Sequence, residues 1–172
     1  RHQDLNIGGD LKYGVASNLT LTATINPDFG QVEADPSVLN LSAFESFFQE
    51  KRPFFVEGRG QFSFDVNCSA VNCHAEGLVY SRRIGRAPQL TDTYGDATSA
   101  TASTILGAAK VTGRTPGGFA IGALDAVTGH ETGVGGATIE PLTNYGVIRA
   151  TRDHHSGDGS VGVILTSVNR SL

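Results

Sequence analysis

The sequence predicts an all-β, antiparallel, up-and-down fold, and three observations predict it. Apolar and polar side chains alternate with a period of two, the alternating runs come in pairs joined by Gly-, Pro-, Asn- and Asp-rich turns, and the runs are long. Several reach roughly nine or ten residues, against the five or six usual in soluble sheets and the 9–11 that a tilted strand needs to cross a bilayer. Gly107, Ala108, Ala109, Gly122 and Ala123 lie inside these runs, where a soluble core would favour larger β-branched residues. Membrane barrels tolerate such strands because one face meets lipid and the other is polar. Periodicity by itself admits a transmembrane barrel and a soluble β-sandwich or lipocalin-like barrel equally.

The first pair sets Leu11, Tyr13 and Val15 against Leu19, Leu21, Ala23 and Ile25, with residues 16–18 as the turn. In residues 19–26 the polar partners are Thr20, Thr22, Thr24 and Asn26, so the strand has two chemically distinct faces. The second pair joins residues 104–112 to 119–128 through Gly113-Arg114-Thr115-Pro116-Gly117-Gly118, whose turn chemistry is strong. The third joins residues 144–152 to 160–169 through residues 153–159. Shorter strands are expected near 61–65 and 78–84, for about eight in all.

Face assignments follow from the cost of a charge against hydrocarbon. Lys110 directs its own face inward and leaves Gly107, Ala109 and Val111 outside, and Arg149 does the same for Gly146, Ile148 and Ala150. Arg152 then falls on the outer set and must sit near an interface.

One segment breaks the period. An insertion over about residues 27–60 is dense in aromatic residues, and Ser42 followed by Glu45 fits the start of a short helix that Pro53 would stop. Excursions this long fold onto something or act as lids and plugs. Its charges, Glu33, Asp35, Glu45, Glu50, Lys51, Arg52, Glu57 and Arg59, are placed to pair with Arg82 and Arg83, read as lumen-facing residues of a strand. Glu33 with Asp35, or Glu50 with Glu57, also has the composition of a glycosidase carboxylate pair. The interleaved arginines and lysines favour a salt-bridged network, because a charge taken from water needs a partner. No catalytic residue is assigned: the chain has neither a Gly-x-Ser-x-Gly nor a His-Glu-x-x-His motif.

A variable loop is expected at about 65–77. It contains Cys68 and Cys73, which a local disulfide could join in an oxidising compartment, the alternative being two unpaired thiols. Cys68, Cys73 and His74 lack a matching second ligand pair, and His154-His155 beside Asp153 and Asp158 reads as a solvated turn, so no metal or other cofactor is expected.

Composition narrows the function classes. A formal charge of -4, with 17% of residues charged and 39% hydrophobic, gives neither a basic surface for nucleic acid nor a disordered tail. The 22 glycines follow no collagen register, and no window reaches the ~20 apolar residues of a membrane-spanning helix. With no Met, an opening on Arg1 and no terminal aromatic residue, the chain is expected to be an internal piece of a longer protein.

The runs Asn26-Pro-Asp-Phe-Gly-Gln-Val-Glu-Ala-Asp-Pro36, Phe47-Phe-Gln-Glu-Lys-Arg-Pro-Phe-Phe-Val-Glu-Gly58 and Tyr80-Ser-Arg-Arg-Ile-Gly85 resemble the signature of the family known as domain of unknown function 5916. So do Ile105-Leu-Gly-Ala-Ala-Lys-Val-Thr-Gly-Arg114 and Glu140-Pro-Leu-Thr-Asn-Tyr145. The match spans residues 10–169 in the expected order; the cysteine insert lies outside it. Members typically carry this region after a family 9 carbohydrate-binding-like domain in Gram-negative envelopes. The resemblance implies one domain over residues 1–172: an incomplete, open part of an outer-membrane β-barrel with a plug-like insertion. It further implies lipid as a partner, glycans as a partner through a missing N-terminal module, and a structural or transport role linked to carbohydrate binding or uptake. Two alternatives stand beside it: a membrane-associated carbohydrate hydrolase and a soluble β-sandwich binding module.

Overall fold

The computed structural model describes residues 7–27, 48–63, 78–154 and 159–171. Its strands are β1 (Gly9–Ala16), β2 (Leu19–Ile25), β3 (Ile105–Arg114), β4 (Phe119–Thr128), β5 (Glu131–Thr132), β6 (Thr138–Glu140), β7 (Leu142–His154) and β8 (Gly159–Ser171). Six of them form one antiparallel sheet in the order β1-β2-β3-β4-β7-β8, and β5 pairs with β6 in a separate ribbon. The chain is all-β, and its main sheet is a meander in which the ribbon occupies the β4–β7 connection. Among the described residues the sheet is open, with β1 and β8 at its edges.

The three expected hairpins form where the alternation places them. Leu21 pairs with Tyr13 on one side and Val111 on the other, Val111 with Ala123, and Ile148 with both Ala123 and Leu165. Because a one-residue slip would turn every side chain to the opposite face, this register fixes both surfaces of the sheet at once. One face carries Leu11, Leu21, Val111, Ile121, Ile148, Val163 and Leu165. The other carries Lys12, Thr22, Lys110, Leu124, Val147 and Arg149. Lys110 and Arg149 therefore lie on the face assigned to them from the sequence, opposite Val111 and Ile148.

The second face is covered over its centre. Phe54, Phe55, Phe62 and Ile84 from the long excursion pack on Ala108, Leu124, Ala126, Tyr145 and Val147 of β3, β4 and β7. At this contact Gly122 is required by close approach: a Cβ there would lie 2.9 Å from the carbonyl oxygen of Gln61 and 3.0 Å from Phe62 Cε1. Among the described residues the first face has no such cover, and Ile148, Val161, Val163 and Leu165 remain 56%, 68%, 57% and 64% exposed.

Three sequence expectations require correction. The expected strands at 61–65 and 78–84 are absent among the described residues; instead single 3-10 turns form at Arg59–Gln61 and Ser81–Arg83. Gly58, at φ 71°, turns the chain into the first, and the second presents Ser81 and its carbonyl to the charged cluster described below. Pro53 does not stop a helix but begins the short α1 (Pro53–Val56), since its missing N–H and fixed φ suit the first helical position. The expected start at Ser42 and Glu45 lies outside the described residues. The excursion also outlasts residue 60: no strand forms among the described residues between Ile25 and Ile105, where a second short helix, α2 (Thr91–Tyr94), is found.

No helix among the described residues is long and apolar enough to cross a membrane, which has no bearing on strands.

Candidate functional site

The chemically richest region is the seat of residues 48–63 on the covered face. At its centre is Glu50, only 7% exposed. Its Oε1 accepts from Arg52 Nε (2.9 Å) and from the backbone N–H groups of Lys51 (3.1 Å) and Arg52 (3.0 Å). Its Oε2 accepts from Arg52 Nη2 (2.7 Å) and Ser81 Oγ (2.6 Å). The guanidinium fork spans both carboxylate oxygens, a geometry that only arginine supplies. Arg52 then extends to the carbonyl oxygens of Ile84 (2.7 Å) and Ser81 (2.9 Å), and its guanidinium carbon stands 4.3 Å from the centre of the Phe55 ring. Glu50 and Arg52 thereby tie residues 48–63 to residues 81–84.

Burial by itself would raise the Glu50 pKa. The hydrogen bonds from Arg52 and Ser81, with the Arg52 charge, outweigh it and hold the carboxyl at about 2, below its ordinary 4.5. The group is a fixed anion at neutral pH.

The sheet holds the same segment mostly by its backbone. Lys110, 2% exposed, donates from Nζ to the carbonyl oxygens of Phe54 and Glu57, with the Phe54 ring centre 4.8 Å away. Arg149 Nη1 lies 3.4 Å from the carbonyl oxygens of both Gly60 and Gln61. A buried ammonium needs acceptors, and a short helix end with its turn offers carbonyls that no helical N–H can reach. The two strand cations thus read main-chain shape instead of side-chain identity. At the rim, the Glu57 carboxylate pairs with Lys12 of β1; that hydrogen bond, more than the small cost of burial, lowers the Glu57 pKa.

The remaining candidate residues divide plainly. Arg82 Nη1 donates to the Gln49 carbonyl (2.9 Å) and so joins the seat through main chain, from a 3-10 turn and not from a strand. Arg83 occupies the same turn, and Lys51 contributes its backbone N–H to Glu50. Arg59 is exposed and forms no ion pair among the described residues. Glu33, Asp35, Glu45, Cys68 and Cys73 lie outside the described residues. Of the two carboxylate pairs considered from the sequence, only Glu50 with Glu57 can be placed: the first is bound by Arg52 and Ser81, the second by Lys12.

Sequence reasoning missed Ser81, Lys12 and the carbonyls of Phe54, Glu57, Gly60 and Gln61. Lys12 had a visible signal, its place on the polar side of the Asp10, Lys12, Gly14 alternation; the carbonyl acceptors had none, because every residue carries one.

On the bare face, Ala109, Ala123 and Gly146 form the floor of a shallow apolar trough of about 390 Å³, walled by Leu21, Val111, Ile148 and Leu165. Polar side chains border this face at both ends. Arg152 stacks on Phe119 at 5.1 Å beside the β3–β4 turn. Toward the other end, Asn144 Nδ2 donates to both carboxylate oxygens of Asp125 at 3.0 Å.

A meander sheet with one bare apolar face, and an ion-paired excursion seated on the other, places the molecule among all-β proteins built around a single two-faced sheet. The chain belongs to the family described as Domain of unknown function (DUF5916), whose model matches residues 1–172. No curated protein and no solved structure matches it.

Proposed function

We propose that this chain forms part of an outer-membrane β-barrel in which the bare face meets lipid, while the covered face lines a lumen holding residues 48–63 as a plug-like segment. Its role in this reading is structural or transport-related. The observation that carries it is the asymmetry of one sheet: an exposed apolar surface that runs across six strands, backed by a face on which Lys12, Thr22, Lys110 and Arg149 flank an apolar centre occupied by residues 48–63. A soluble sandwich would cover the bare face with a second sheet, and the second sheet among the described residues is the small β5–β6 ribbon.

Dimensions support the reading. On β4 the outer-facing positions are apolar from Phe119 to Ala123, about 14 Å at roughly 3.4 Å per residue, before Asp125, bound by Asn144, interrupts them. The ten-residue strand as a whole spans about 34 Å, long enough to cross the ~25 Å apolar band of outer-membrane barrels at a tilt near 40°. The polar border is oblique, as tilted strands require: the bare face stays apolar to Ile25 on β2, but turns polar at Ser167 and Asn169 on β8, where Ile25 is in register with Gly107 and Asn169 with Asn144. In a barrel, the open edges of β1 and β8 would be paired by further strands, which removes their unsatisfied backbone groups from hydrocarbon. The extension to glycan binding or uptake rests on the family resemblance.

The test is fractionation of the full-length protein. It should sediment with the outer membrane and migrate differently on a denaturing gel before and after boiling. Recovery in the soluble fraction without detergent would overturn the reading.

A further inference from the structure

The two ends of the sheet are not equivalent. Ser17 and Asn18 join β1 to β2, Thr115 to Gly118 join β3 to β4, and the four residues 155–158 connect β7 to β8, all at one end. Both long connections leave from the other end: residues 26–104 between β2 and β3, and residues 129–141 between β4 and β7.

The long connections also interlock. The Leu90 N–H donates to the Ile139 carbonyl (3.1 Å), the Gln89 N–H to Glu140 Oε2 (2.9 Å), and the Thr104 N–H to Glu131 Oε1 (2.8 Å). Gly129 N–H returns a bond to the Thr104 carbonyl (2.7 Å). Glu140 is 2% exposed, so this is a packed joint and not a passing contact. Residues 85–104 and the β5–β6 ribbon therefore form one cap over the long-connection end.

From this asymmetry we infer the orientation of the molecule in the membrane: the three short turns face the periplasm, and the cap of residues 85–104 with β5–β6 stands on the cell surface. The inference rests on the barrel reading above and adds a direction to it. Outer-membrane barrels keep short turns on the periplasmic side and longer loops outside. Residues 48–63 belong to the same excursion as the cap, so the seated segment enters from the exterior and lies in the path of solutes arriving there. The surface presented to them is the exposed part of the cap, including Leu90, Tyr94 and Val134, at 43%, 48% and 56% exposure.

Two positions suit a test. Gly135 and Gly136 form an exposed turn in the cap, and exposed Gly117 with half-buried Gly118 a turn at the opposite end, where added atoms meet little. A short epitope inserted between either pair in the full-length protein is probed with antibody on intact Gram-negative cells and after outer-membrane permeabilisation. Heat-modifiable mobility serves as the check on folding. The 135/136 epitope should bind antibody on intact cells, and the 117/118 epitope only after permeabilisation. The reverse pattern would overturn the orientation while leaving the barrel intact. Soluble recovery of the protein would overturn the barrel reading itself. If an insertion abolishes heat-modifiability, the unmodified protein is shaved with protease on intact cells and the cuts mapped by mass spectrometry. Cuts within 85–104 or 129–141 support the orientation; cuts within 114–119 or 152–159 overturn it.

Discussion

Lys110 and Val111 are neighbours in the chain and share no surroundings. Lys110 is buried under residues 54–57 with both of its hydrogen bonds to carbonyl oxygens, whereas Val111 lines an open, mostly apolar trough and is in register with Leu21 and Ala123. The same contrast is repeated at Val147 and Ile148, of which the first is 7% and the second 56% exposed. Two kinds of stabilisation therefore act on one sheet. On the covered face, directional bonds specify a single position for one segment; on the bare face they are confined to the two ends, at Asn144–Asp125 and Arg152–Phe119, and between them any apolar medium would serve. A surface of the first kind is sensitive to the loss of one atom, and one of the second kind to the gain of a charge.

The largest effect expected from this contrast lies at Glu50. Replacing it by alanine leaves the Arg52 guanidinium without its carboxylate and strands two backbone N–H groups and the Ser81 hydroxyl. Removing one partner of a buried pair costs about 3–5 kcal/mol. Hydrogen exchange on the detergent-solubilised full-length protein should show residues 48–63 losing protection while β3, β4 and β7 keep theirs. Unchanged protection would mean that the aromatic contacts alone hold the segment. Acid should act in the same way. The folded-state pKa of Glu50 is depressed from 4.5 to about 2, so its contribution is complete above 4.5 and disappears as pH falls from there toward about 2. Protection of the segment should be constant near neutral pH and decline across that lower range.

A second prediction addresses the bare face. Val163→Arg places a charge among Ile148, Val161 and Leu165; against lipid near mid-bilayer it should cost about 2–4 kcal/mol. Thr166→Arg, on the opposite face of the same strand and already exposed, should change stability by no more than about 0.5 kcal/mol. Unfolding of both variants in lipid bilayers, with the parent as reference, separates the cases. Equal effects at the two positions would remove the distinction between the faces.

How far the sequence disclosed this arrangement follows from the kind of signal each part carries. A strand advertises itself through alternation, and the hairpins at 9–25, 105–128 and 142–171 stand within a few residues of where that pattern places them. The face shared by Lys110 and Arg149, opposite Val111 and Ile148, was legible for the same reason: parity alone decides a side chain's face once a strand is known. The stretch 78–84 misled because Leu78, Tyr80 and Arg82 also alternate, yet the chain there is bent by the need to bring Ser81 and its carbonyl to Glu50 and Arg52. Pro53 was ambiguous from the start, since the same ring that stops a helix from within begins one at its first residue. The seat itself was half legible. Glu50 and Arg52 stood out as charges amid aromatics, but their partners are largely carbonyls, and a carbonyl leaves no trace in the sequence.

That last point yields the smallest expected effect. Lys12 and Glu57 form an ion pair whose side chains are 60% and 49% exposed, and such pairs are worth about 0.2–1 kcal/mol and weaken with salt. Glu57→Gln removes this pair and the carboxylate's weaker attraction for Lys110, but the Glu57 carbonyl that receives Lys110 belongs to the backbone and survives the substitution. Protection of residues 48–63 should therefore fall only slightly in Glu57→Gln, by an amount that disappears at high ionic strength. Lys110→Met, which keeps the side chain's bulk but deprives the Phe54 and Glu57 carbonyls of their buried donor, should loosen the segment by about 1–3 kcal/mol for each acceptor left unpaired, in any salt. If the order were reversed, with the rim carboxylate mattering more than the buried ammonium, the segment would be held by its side-chain charges rather than by the shape of its main chain.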